Sequence, residues 1–181
     1  MSEFEFLFVL ISIIFGIALT QIMSGTVRGL YNREFTENQV LYTLFVTVLV
    51  VIDWWVSFSF NLIQQWEFGT FLVLVLWAMV HYGMVAALYP PISKPLAFER
   101  RRHLFLWAYI GMLVADIILT AVRGSLLTPW YYLPFILHYV FLSGIGLRFN
   151  AKWLHRCIAW WFLISMLAWA LYVRTLLSEI V

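Results

Sequence analysis

Residues 12–29 read Ser-Ile-Ile-Phe-Gly-Ile-Ala-Leu-Thr-Gln-Ile-Met-Ser-Gly-Thr-Val-Arg-Gly. Ser12, Gly16, Thr20 and Ser24 recur at every fourth residue, which on a helix places them in one nearly straight groove. Gly25 and Gly29 add a second small-x-x-x-small step beside it. Leu, Ile, Phe and Val fill the remaining faces. In lipid a large side chain gains little by facing a neighbour rather than an acyl tail, whereas small residues let two backbones approach closely. The stretch is therefore expected to be a membrane-spanning helix. Ser12, Gly16, Thr20, Gly25 and Gly29 are expected to form the surface against which the other spans pack. Gln21, Ser24 and Arg28 give its second half a polar patch, expected on the inner side.

The rest of the chain has the same character. Of its 181 residues 64% are hydrophobic and 11% charged. A soluble domain carries about twice that share of charge. The apolar residues come in blocks close to the roughly 20 residues that cross a bilayer core. The balance of 11 basic and 9 acidic residues gives a net charge of +2 and no basis for a nucleic-acid partner. The single cysteine, Cys157, excludes an intrachain disulfide. The opening Met-Ser-Glu-Phe-Glu-Phe lacks the basic n-region of a signal peptide, and the apolar run after it is too long for one. The first run is thus expected to persist as a span.

Six spans are expected, over residues 6–28, 40–63, 68–89, 103–124, 130–147 and 152–176, in one transmembrane domain. Thr36 and Gln39 have capping-box spacing ahead of the second. Pro90-Pro91 stops the third. Thr128-Pro129 reads as a cap with proline at the first helical position, and Asn150 as the cap of the sixth span. The fold class is all-α, a polytopic six-span bundle.

Lys and Arg in short connections set orientation. With the N-terminus outside, Arg28, Arg33, Lys94, Arg100, Arg101, Arg102, Arg148, Lys152 and Arg156 fall inside, and only Arg123 and Arg174 outside. Both termini are therefore expected outside. Arg100, Arg101 and Arg102 are expected to meet anionic lipid.

Ionisable groups within the spans are costly and are functional candidates. They are Asp53, His81, Asp116 and His138. At 1.5 Å per residue, Asp53 lies roughly 16 Å and His138 roughly 15 Å below the outer boundary, with Asp116 at a similar depth. His81, at roughly 21 Å, lies nearer the inside. Asp53, Ser57 and Asn61 are spaced i, i+4, i+8, and Asp116, Thr120 and Arg123 are spaced i, i+4, i+7. Both stripes climb outward, as the walls of a hydrated outer vestibule would, with Arg123 at its mouth. Interhelical clamps with no traffic through them would have the same pattern.

A b-type haem needs two histidines at one depth on facing helices. His81 and His138 differ by roughly 6 Å, so the sequence does not favour it. Trp54, Trp55, Trp77, Trp160 and Trp161 fall mid-membrane, either as packing or as the lining of a pocket for an aromatic or cationic ligand. No phosphate-binding Gly-rich loop, Cys-x-x-Cys or His-Glu-x-x-His occurs, and Gly-x-Ser-x-Gly is absent.

Gly16-Ile17-Ala18-Leu19-Thr20-Gln21-Ile22-Met23-Ser24-Gly25, followed by Arg28, resembles the first span of a group of small uncharacterised bacterial multi-pass inner-membrane proteins. Asp53-Trp54-Trp55 and Trp66-Glu67-Phe68 extend the resemblance over the first half of the chain. It implies a bacterial inner-membrane location and brings no activity. Size and span count are also similar to the vitamin-binding subunits of energy-coupling-factor transporters, whose motifs are absent here.

These readings lead to a small channel or transporter for protons, ions or a small solute. Asp53, Asp116, His138 and His81 would be its path, and Arg123, Asn61, Ser57 and Thr120 its outer entrance. The alternatives are an accessory subunit and a haem- or ligand-binding sensor. A homo-oligomer or a larger membrane complex is expected in each case.

Overall fold

The computed structural model describes residues 3–32, 35–62, 66–90, 97–124, 126–127 and 129–177, without the side chains of 3–4, 61–62 and 172–177. Arg33, Lys94 and the Thr128 cap, and the side chains of Asn61 and Arg174, lie outside what is described. Among the described residues the chain is all-helical. It forms α1 (Glu3–Asn32), α2 (Glu37–Val56) running into a 3-10 helix (Ser57–Leu62), α3 (Phe68–Leu88), α4 (Phe98–Val122), α5 (Tyr132–Arg148) and α6 (Lys152–Leu177). Five of the six helices are long and apolar enough to cross a membrane. The exception, α5, has 17 residues. It measures about 26 Å, a little under the roughly 30 Å of a hydrocarbon core.

Helix ends follow local chemistry. The Gln39 amide donates to Thr36 Oγ1 at 3.2 Å, closing half of the expected capping box ahead of α2. Residues 99–102 are not in a connection. They form the first turn of α4, where Glu99 suits the positive end of the helix dipole and sits three residues from Arg102. Pro134 falls in the first turn of α5, where its missing N–H costs nothing. That helix begins after a turn in which the Tyr132 amide donates to the Pro129 carbonyl, so its N-cap is Tyr131 and not Thr128.

The helices form a closed ring in the order α1, α3, α4, α5, α6, α2. Aromatic side chains fill its middle. The Tyr42 and Phe45 rings of α2 pack on Phe105 and Tyr109 of α4, and Phe162 of α6 touches Phe45, Tyr109 and Tyr139. Large apolar side chains cover much of the outer surface, including Ile13, Ile17, Leu76, Trp107 and Phe141. A chain solvated by lipid has this distribution.

The expected role of α1 as central post needs correction. Of the five long helices α1 is the least buried and α2 the most. The inward face of α1 carries Leu7, Ile11, Phe15, Ala18, Ile22 and Gly25. Gly16, Thr20 and Ser24 face outward, and nothing in the protomer comes within 4 Å of a Cβ built on Gly16. Large side chains with good partners outcompete the small groove: Phe15 packs edge-on against Trp77. Small residues do meet neighbours at Gly25, against Tyr89, and at Gly29, against Phe35. Ser12 is half-buried and accepts from the Trp54 indole at 3.0 Å.

Candidate functional site

Where α2, α3, α4 and α5 meet, toward the end of the bundle that carries the α4–α5 connection, lies a cavity of about 200 Å³. Asp53, Asp116, Thr120, Arg123 and Tyr132 supply its polar lining. Aromatic rings make up much of the rest, among them Phe60, Trp77, Phe135, Tyr139 and Trp169. Tyr139 is also part of the aromatic centre of the bundle, so the cavity ends against that packing.

Asp53 lines this cavity and has a buried partner behind it. His81 Nε2 lies 2.7 Å from Asp53 Oδ2, and His81 Nδ1 lies 2.8 Å from the Trp77 carbonyl oxygen one helical turn earlier. His81 is fully buried, while the Asp53 side chain keeps 15% exposure, so the pair is reached from the aspartate side. The edge of the Phe15 ring closes the other side of the imidazole.

Trp77 ties this pair to the second carboxylate. Its indole N–H donates to Asp116 Oδ1 at 3.2 Å. The Tyr132 hydroxyl donates to Asp116 Oδ2 at 2.6 Å and accepts from Thr120 at 2.9 Å. Both Asp116 oxygens are thus satisfied by donors, as a buried ionised carboxylate requires. Arg123 lines the same cavity, its guanidinium 4.7 Å from the centre of the Phe60 ring and donating to Ser59 at 3.3 Å. Among the described residues no ion pair joins Arg123 to Asp116.

Asp53, His81, Asp116, Thr120 and Arg123 are therefore brought together, but three expectations change. First, His81 does not lie a layer below Asp53. The 3-10 helix rises about 2.0 Å per residue against 1.5 Å, which sinks Asp53 by roughly 3 Å toward His81. Second, the same segment ends the Asp53–Ser57–Asn61 stripe. The Ser57 hydroxyl turns back to the Trp54 carbonyl at 2.5 Å, and Phe60 presents its ring to the cavity. Third, His138 does not line the cavity. It packs on Phe135, Tyr139 and Trp161, and its Nε2 is buried with no hydrogen-bond partner among the described residues.

The remaining candidates separate as well. Both ring nitrogens of His81 have partners within the protein, and His138 packs elsewhere, on Phe135, Tyr139 and Trp161. Trp54, Trp55, Trp160 and Trp161 point out of the bundle, and of the five mid-membrane tryptophans Trp77 alone faces the cavity. In the inner polar patch, Gln21 donates to the Tyr89 carbonyl, whereas Ser24 and Arg28 face outward.

The Arg100–Arg102 cluster is largely used internally. Arg101 donates to the last carbonyls of α3, at Ala87 and Leu88, both at 2.9 Å. Arg102 is buried, paired with Glu99 at 2.5 Å and donating to Asn150 at 3.1 Å. Asn38 donates to the same Glu99 at 3.2 Å. Of the three arginines only Arg100 is exposed. Arg102, with Asn38, Glu99 and Asn150, is a second polar knot, at the opposite end from the cavity.

Tyr132 is the site residue that sequence reasoning passes over; it reads Trp77 as packing or pocket lining and does not foresee its hydrogen bond to Asp116. Trp77 stands one turn before His81, a spacing that places both on one face, but an indole that packs and one that donates read alike. No family model matches this chain, and no curated protein or solved structure gives a significant match to it.

Proposed function

We propose that this protein is a small carrier of six membrane spans in a bacterial inner membrane, with both termini outside and the α2–α5 cavity as its solute site. The observation that carries this reading is a cavity lined by both intramembrane aspartates and by Tyr139, whose ring belongs to the packed aromatic centre of the bundle. A conducting pore would be continuous, whereas a carrier in one of its states exposes its site to one side. Charged groups this far inside an apolar bundle are also costly to keep unless they are used.

Reconstitution tests it. Vesicles holding the purified chain and a pH-sensitive dye should show solute-dependent flux, lost in a folded Asp53→Asn variant. Absence of flux under every gradient, with normally folded protein, would remove the carrier. The orientation rests on the nine-to-two asymmetry of Lys and Arg, and a reporter fused at Val181 that works only in the cytoplasm would overturn it.

A second reading has its own support. Asp116 is hydrogen-bonded by protein donors on both oxygens and Asp53 is paired with His81, which is what a clamp within a homo-oligomer or a larger complex needs. In that case Asp53→Asn lowers stability and no flux exists to lose.

A further inference from the structure

We infer that the cavity exchanges one proton for one small organic monocation, and that the proton is the one held between Asp53 and His81. The inference names the substrate class of the carrier proposed above and rests on that reading.

The proton follows from hydrogen-bond logic. The Trp77 carbonyl can only accept, so His81 Nδ1, 2.8 Å away, carries a hydrogen. At 2.7 Å, Asp53 Oδ2 and His81 Nε2 cannot both be bare, since two lone pairs would repel, nor both protonated, since two hydrogens would collide. One proton therefore sits between them, as carboxylic acid with neutral imidazole or as carboxylate with imidazolium. Either way the pair is neutral.

The charge of the whole cavity follows. Asp116 receives a donor on each oxygen and is a carboxylate. Arg123 supplies one positive charge. The phenols of Tyr109, Tyr132 and Tyr139 on α4 and α5 are neutral, with Tyr132 donating its hydrogen. Among the described residues the other elements bring no further charge: Phe15 from α1, and Met166 and Trp169 from α6. With its proton the cavity is neutral. Without it the cavity holds one negative charge more than positive, facing low-dielectric walls, and such a charge must be compensated.

A monocation is that compensation. In the exchange the O–H or N–H bond of the pair breaks, the proton passes to cavity water on the Asp53 side, the Asp53 carboxylate turns off the bare His81 Nε2 toward the cavity, and the entering cation restores neutrality. No electrons move. The walls select the kind of cation. Ring faces attract a cation with an apolar body, and Trp77, Tyr132, Phe135, Tyr139 and Trp169 line this space beside Phe60, over which Arg123 already lies. Among the described residues no three His, Cys, Asp or Glu side chains are close enough to hold a metal ion.

The test is a titration of the purified full chain in weakly buffered detergent with benzyltrimethylammonium, followed by tryptophan fluorescence and a pH dye. The expected result is one proton released per cation bound. Affinity should fall about tenfold per pH unit on the acid side of the pair's titration. Asp53→Asn should bind without proton release and without that pH dependence. If that variant fails to fold, the wild-type proton count decides alone. Binding with no proton released overturns the exchange, as does no binding at all. Equal proton release by sodium overturns the organic-cation class. In vesicles, a benzyltrimethylammonium gradient should drive protons the opposite way. Cation uptake without proton movement sinks the exchange and leaves the carrier standing. No movement of any solute sinks the carrier itself, whatever the micelles show.

Discussion

Trp77 serves two partners with two different atoms. Its carbonyl fixes the His81 hydrogen on Nδ1, and its indole N–H holds Asp116. Trp77→Phe keeps the carbonyl and most of the ring but leaves Asp116 Oδ1 without that donor. The expected cost is about 1–3 kcal/mol, read as a lower unfolding midpoint in detergent. Tyr132→Phe removes the donor on the other oxygen and should cost a similar amount. Because both changes strip one buried carboxylate, the double variant should depart from additivity by about 0.5 kcal/mol or more. Asp53, His81 and Asp116 were legible in the sequence because a charge inside an apolar run stands out. His138 stood out equally but sits elsewhere, since counting residues gives depth along a helix and says nothing of the side it faces. Trp77 was legible as a candidate pocket lining, but its bond to Asp116, like the part played by Tyr132, was not, because they depend on a carboxylate 39 and 16 residues away in the chain respectively.

Among the helices, α1 shows how an intrinsic pattern and actual packing diverge. The four-residue spacing of small residues was plain in the sequence, but which face turned inward depended on where Trp77 and Tyr89 stood. Gly16→Leu should not lower the unfolding midpoint of the protomer, since its Cβ meets no neighbour and leucine favours the helix more than glycine does. Gly25→Ala should cost about 1–3 kcal/mol. Its Cβ would collide with the Tyr89 ring, which is buried and held by Thr43 at 2.7 Å. At the far end Arg102→Met strands the buried side of Glu99 and should destabilise by about 3–5 kcal/mol. Adding Glu99→Gln should recover part of that loss in the same melt. Helix number and approximate ends were readable from prolines, caps and apolar run lengths. The 3-10 helix was not: it is a departure from the periodicity on which the reading depended.

At the scale of the whole molecule, the ring order separates sequence neighbours. Helix α2, the most buried of the five long helices, packs chiefly against α6, and the two ends are pinned by the Glu37–Arg156 ion pair. Sequence patterning alone could not supply that pairing, because an apolar surface suited to lipid is equally suited to another helix. The pairing also sets an order of events during synthesis. A ribosome releases α2 about a hundred residues before α6 at roughly 5–20 residues per second, so for several seconds the nascent chain holds Phe45 and Leu49 beside lipid or the insertion machinery. The Asp53–His81 contact needs only α2 and α3 and can form in that interval; the aromatic centre cannot. A chain ended after Asn150 should therefore insert yet be degraded quickly in a pulse-chase experiment, and separately expressed α6 should restore its lifetime. The helix that carries Asp53 is thus among the first to enter the membrane and among the last to finish folding in it.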